Sequence, residues 1–403
     1  MMKKESIILL VLAGAMFTHI LDFMIIMPLG PQLMRLFDIG TTAFSLLVSS
    51  YAFSAFLSGI VSAFFVDRFD RKKTFLTVYT GFSLGTLACA LAPTYGFLVV
   101  ARALTGIFGG VVGALVISIV SDLIPIERRA SGIGVVMASF SVASVFGVPF
   151  GLYLSSLLSW HAPFFFLSAL GFLVATLSFF VLPNVTGHLE EALKSHPVAA
   201  FKRLFRSRNA MMGLLFTAML MLGHFTIIPF IAPYMVGNVG FTEHDLTYIY
   251  LVGGALTIVT SPLVGKLADH FGRLNIYTIF GLLVIIPVIW ITNMGPSPLW
   301  LALCATGLFF VFANGRMVPS TAMVTLVIKP ENRGAFMGLR TSVQQLFSGF
   351  AALIGGWMVT EIPSAIQPGA KAVANYHMAG YFTVFFSLVA LLVARKLKVV
   401  KGS

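Results

Sequence analysis

The chain has 403 residues, 58% of them hydrophobic and only 10% charged, with a mean hydropathy of +0.96. A soluble domain carries roughly 25% charged residues, so a soluble protein of this size is excluded. A disulfide-built scaffold is excluded too, because the only two cysteines, Cys89 and Cys304, both lie in apolar runs and read as small packing residues.

Apolar runs long enough to cross ~30 Å of hydrocarbon recur from end to end. They predict twelve spans, at about residues 6–29, 43–66, 74–92, 97–121, 132–155, 164–182, 210–234, 246–267, 276–293, 299–327, 335–359 and 378–394. Lipid cannot satisfy an open backbone, so an all-helical protein is expected. The first run begins with Lys3 and Lys4, as a signal peptide does. It continues to about Leu29 and is broken by Asp22, which favours an uncleaved span.

Asp22 is the one carboxylate well inside a span. Seven residues separate it from Leu29, or ~10 Å along a helix. Arg102 lies about six residues into the fourth span, ~9 Å deep on the same side. An ion pair between them is therefore geometrically open. His19 precedes Asp22 by three residues and shares its helix face. Span 5 carries Gly147, Pro149 and Gly151, a pattern for close packing and a kink. The segment 184–209 joins the two halves, 1–183 and 210–403. Within it Val198, Phe201 and Phe205 fall near one helix face, with Lys202, Arg203, Arg206 and Arg208 elsewhere, as in an interfacial helix. Span 7 repeats the first span's spacing with His224 and Pro233, against His19 and Pro28. Asn314 and Arg316 lie near the middle of span 10. Arg340 is five residues into span 11, with Gln344 one turn beyond it; snorkelling or an inner-gate pair is expected of it.

Charge placement sets the orientation. With the N-terminus inside, 21 of the 26 Lys and Arg residues fall in inner segments, and only Arg35 and Lys371 in outer ones. The positive-inside rule then places both termini in the cytoplasm of a multi-pass protein of the cell (inner) membrane. The same asymmetry accounts for the net charge of +12 without a nucleic-acid partner.

The halves echo each other at an offset of roughly 200 residues. Asp67-Arg68-Phe69-Asp70-Arg71 after span 2 answers Asp269-His270-Phe271-Gly272-Arg273 after span 8. Glu127-Arg128-Arg129 after span 4 answers Glu331-Asn332-Arg333 after span 10. Parallel duplication follows.

Gly265-Lys266-Leu267-Ala268-Asp269-His270-Phe271-Gly272-Arg273 resembles the loop signature of the major facilitator superfamily. The first-half copy is degenerate, with Ala63 and Asp70 where glycines are usual. Arg102-Ala103-Leu104-Thr105-Gly106 resembles the family's fourth-helix arginine motif. Gly147-Val148-Pro149-Phe150-Gly151, with Trp160 beyond it, resembles the fifth-helix motif of twelve-helix drug and sugar efflux permeases; His161 departs from the usual arginine.

This resemblance implies two pseudo-symmetric six-helix bundles around a central cavity. It implies a monomeric secondary transporter, not an enzyme, exporting a small amphipathic molecule against protons. No nucleotide-binding loop, metal motif or cofactor signature is present in the sequence. Asp22 is the candidate proton carrier, tuned by Arg102 and His19; a permanent ion pair that only orients helices is the alternative. His224, Arg316, Asn314 and Gln344 are candidate cavity residues. Asp67, Arg71, Asp269, Arg273 and Arg340 are candidate cytoplasmic gate residues, and topology alone would also explain the basic ones. A proton-independent facilitator or importer is the alternative function, and a non-transporting sensor a remote one.

Overall fold

A computed structural model describes residues 3–187, 197–329, 332–364, 366, 371–398 and 400, without the side chains of 3, 4, 67, 130 and 197–200. Twelve long helices run through it. We label them α1 (Lys3–Ile25), α2 (Thr41–Ser62), α3 (Arg71–Ala90), α4 (Tyr95–Leu123), α5 (Ile126–Leu157) and α6 (Ala162–Val181) in the first half. The second half holds α7 (Arg208–Val239), α8 (Asp245–Phe271), α9 (Arg273–Thr292), α10 (Leu299–Thr325), α11 (Arg333–Met358) and α12 (Tyr376–Ala394). Ten are both long and apolar enough to cross a membrane. The others, α3 and α11, have the length (20 and 26 residues) but carry more polar groups, including Lys72 and Lys73 in α3 and Arg340 in α11.

Packing repeats with a step of six helices. In the first half α1 meets α5 and α6, α2 meets α4, and α3 meets α4 and α6. In the second, α7 meets α11 and α12, α8 meets α10, and α9 meets α10 and α12. Across the halves α2 packs on α11 and α5 on α8. Large apolar side chains such as Leu10, Leu158 and Phe180 are more than 70% exposed, as a lipid-facing belt requires.

Local chemistry explains why the repeat is imperfect. Gly272 has φ +90°, where a side chain is strained, so a glycine belongs there. Its counterpart Asp70 has φ −55° and needs no glycine. Its carboxylate instead caps α3, accepting from Lys72 N at 2.7 Å. Gly106 brings α4 against α2; an added Cβ would strike the Tyr51 carbonyl oxygen. Gly106→Ala should therefore cost about 1–3 kcal/mol, read as a lowered Tm of the detergent-purified protein.

The helical architecture is as expected, with one short addition: β1 (Thr360–Pro363) and β2 (Lys371–Ala374) form an antiparallel ribbon between α11 and α12, with Thr360 opposite Ala374. They lie beyond the helix ends, where backbone polar groups need not be satisfied within one helix. In the connecting helix Pro197–Arg206, Leu204 is the buried residue, Phe201 stacks on Phe64 at 5.2 Å, and Phe205 is 56% exposed. Phe64, just beyond the end of α2, is thus one packing partner of this connecting helix. The Val198 side chain lies outside the description.

Candidate functional site

Asp22 and Arg102 meet in the interior of the first half, both fully buried, with Arg102 Nη1 2.7 Å from Asp22 Oδ2. The same Nη1 donates to the Asp22 carbonyl at 3.2 Å. Thr86 Oγ1 of α3 donates to the other carboxylate oxygen at 3.0 Å. The guanidinium lies over the Tyr51 ring, 4.6 Å from its centroid, a cation–π contact. Tyr51 OH is 3.2 Å from His19 Nδ1. Four helices thus converge on this ion pair, and His19, half-buried, lies beyond Tyr51. Arg102 Nε and Nη2 have no hydrogen-bond partner among the described residues. An ion pair this dry is costly unless its geometry is good and its other hydrogen bonds are made. Here the cation keeps spare donors, so the carboxylate is not its only available seat.

The second half holds a different cluster. Arg316, 1% exposed, donates from Nη1 to Ser387 Oγ at 2.8 Å and from Nη2 to the Gly223 carbonyl at 2.6 Å. Its Nη2 is also 3.2 Å from His224 Nδ1. Gly223 (φ −77°, ψ 15°) breaks the helical run of α7, and its carbonyl also accepts from Ser387 at 3.2 Å. An aromatic chain joins the clusters: Tyr51 to Phe23 at 5.3 Å, Phe23 to Phe225 of the other half at 5.9 Å, and Phe225 to His224 at 5.3 Å.

Other expected site residues are placed as follows. Asn314 donates to Ser261 of α8 at 2.5 Å, and Gln344 is half-buried on α11. Arg340 is 7% exposed and donates to Thr321 of α10, an exposed residue, at 3.3 Å. Gly147 and Gly151 accept α1, since an added Cβ would lie 2.8 Å from Leu21 and 2.7 Å from Ile25. A π-turn over Ala143–Gly147 precedes Pro149. Cys89 is buried beside Thr105, but Cys304 is exposed on α10 rather than packed. Among the gate residues, Arg71 pairs with Asp122 of α4 at 2.6 Å and Arg273 with Asp269 at 3.8 Å, both within one half. The Asp67 side chain lies outside the description. Sequence reasoning missed Tyr51, Thr86 and Ser387, because a Tyr, Thr or Ser in an apolar span carries no distinctive spacing.

The opposite end of the bundle is tied across the halves. Arg35 pairs with Glu243 at 2.7 Å; Lys371 reaches Asp38 at 2.7 Å and Glu361 at 3.4 Å. Glu361 accepts from the Thr41 backbone N–H, and so caps α2 from the other half. The Lys371 hydrogen bond, and then its charge, holds the Asp38 carboxyl below its ordinary value, while that bond holds Lys371 above its own. A lowered carboxyl supports the pair above its ordinary value of about 3.9 and loses it only as pH falls through the lowered one. A raised lysine supports it below about 10.4 and loses it only as pH rises through the raised one. The tie should therefore be indifferent to pH between about 5 and about 9, yet weaken with salt. The check is maleimide labelling of Ser45→Cys, at the buried α2–α11 contact. Labelling, taken at each pH as a ratio to that of the same cysteine in the unfolded protein because the thiolate is the reacting form, should rise in Lys371→Ala and in high salt, and stay flat across that pH range.

The family model of the Major Facilitator Superfamily matches residues 12–233 and 214–402. The chain is 25% identical over 298 residues to the uncharacterized MFS-type transporter YbcL of Bacillus subtilis (strain 168), covering 73% of this chain and 74% of that one. It is 24% identical over 362 residues to Multidrug resistance protein 1 of the same organism, covering 89% and 91%. Among solved structures, an inward-facing bacterial homolog of the human lysosomal transporter Spinster superposes with a TM-score of 0.74 at 18% identity, covering 98% of both chains.

Proposed function

The chain belongs to the Major Facilitator Superfamily and is a multi-pass membrane transporter, and from that premise we propose that it exports a small amphipathic molecule in exchange for protons by alternating access. The observation that carries this reading is the buried Asp22–Arg102 pair, with Tyr51 as a second seat for the cation. A charged pair this deep in a membrane protein is costly and usually functional.

In this reading the basic loops face the cytoplasm, the β1–β2 ribbon faces outward, and segment 184–209 links halves 1–183 and 210–403. The outer tie through Arg35, Glu243, Asp38 and Lys371 would then hold the outer side shut. When the halves rock open outward, Asp22 takes a proton and Arg102 keeps the Tyr51 face that it already holds. When they rock back, the carboxyl releases its proton inward and pairs with Arg102 again. Cargo leaves in the first stroke and loads in the second. Asp67, Arg71, Asp269 and Arg273 would close the inner side, and the monomer is the working unit.

The likeness to Multidrug resistance protein 1 supports an amphipathic cargo. The direct test is flux in proteoliposomes with and without an imposed pH gradient. Export-directed flux that follows the gradient and stops with an ionophore is expected. Equal flux under both conditions would favour a facilitator instead.

A further inference from the structure

From residue 210 onward the chain contains five carboxylates: Glu243, Asp245, Asp269, Glu331 and Glu361. None lies deep in a span, since Asp245 and Asp269 sit at the two ends of α8, yet that half buries Arg316 and Arg340 at 1% and 7% exposure. In the first half the one deep carboxylate, Asp22, is already taken by Arg102. Arg316 therefore has only neutral oxygens and a ring nitrogen for company, and its Nε has no partner among the described residues. A guanidinium cannot shed its charge to relieve this.

We infer that the transported molecule carries an anionic group, a carboxylate, sulfonate or phosphate, that seats on Arg316 beside His224. This rests on the transporter reading and names its cargo class. Three features support the seat. Arg316 presents a planar fork suited to an oxyanion pair. His224 is half-buried, so the cluster borders accessible space rather than closed core. Phe225 and Phe309 flank the His224 ring at 5.3 and 6.2 Å, an apolar wall for the rest of an amphipathic cargo. The Gly223 carbonyl holds the guanidinium until the anion arrives. Arrival would release that carbonyl at the break in α7, linking loading to helix geometry.

The test uses three probes of one shape: naphthalene-2-sulfonate, neutral naphthalene-2-sulfonamide and 2-(trimethylammonio)naphthalene. Binding to the purified full-length protein in uncharged detergent is measured by calorimetry. The sulfonate should bind at least about tenfold more tightly than the other two, a difference readily resolved as an affinity ratio. Arg316→Gln should bring the three within about twofold of each other, and Arg316→Lys, which keeps the charge and controls for folding, should retain most of the preference. Equal binding of all three by the unaltered protein overturns the inference. So does a sulfonate preference that survives Arg316→Gln. A sulfonate preference without pH-gradient-driven flux would leave the anion seat standing and fail the proton-coupled reading. Gradient-driven flux with no charge preference would do the reverse.

Discussion

Asp22→Asn is expected to cut pH-gradient-driven transport by about a hundredfold or more, which is roughly 2.7 kcal/mol of lost coupling at 1.36 kcal/mol per tenfold. The amide keeps the shape and the hydrogen bond with Thr86 but cannot bind and release a proton. Cargo exchange at equal pH on both sides should persist, because exchange needs the halves to rock but not Asp22 to titrate. That split separates the proton role from the alternative of a permanent structural pair. If the pair only orients helices, Asp22→Asn would reduce exchange and gradient-driven flux together. Tyr51 decides how well the variant tolerates the change. With its carboxylate gone, Arg102 still rests over the ring 4.6 Å away. Asp22→Asn combined with Tyr51→Leu should therefore be less stable than either change alone.

The second large effect is on stability. Arg102 is fully buried against Asp22, and removing one partner of such a pair typically costs about 3–5 kcal/mol. The two directions are not equivalent. A carboxyl left alone can neutralise itself with a proton, whereas a guanidinium cannot. Asp22→Asn should therefore lower the Tm more than Arg102→Met does. The double variant Asp22→Asn/Arg102→Met should recover most of the loss, because an apolar replacement of a buried pair is often neutral. A coupling of about 3 kcal/mol is expected from the double-mutant cycle. The double variant should fold well and transport without protons. Additive losses would mean that the two side chains do not depend on each other.

Much of the architecture was legible in composition and charge. Length and apolarity located the helices. The matched motifs at Asp67 and Asp269 announced the duplication. Depth counting also brought Asp22 and Arg102 to one level, because rise per residue is fixed in a helix. What was not legible depends on rotation about the helix axis. Tyr51 reads like any aromatic of α2 until Gly106 and Gly109 admit it against α4. Arg340 looked able to reach the surface, and its 7% exposure, with a bond to Thr321 of α10, depends on how α10 and α11 are rotated against each other. The β1–β2 ribbon was missed because one of its partners is distant in sequence: Asn238 of α7 bonds both ways to the Val373 backbone. No local pattern in residues 360–374 announces that partner.

The central claim is that Asp22 exchanges a proton during the cycle. Infrared difference spectroscopy on the reconstituted protein tests it most directly, comparing the spectrum on acidification with that of Asp22→Asn. A protonated-carboxyl band that appears in the unaltered protein and is missing in the variant is the predicted result. An identical band in both, or none in either, would mean that Asp22 stays ionised throughout and would contradict the account.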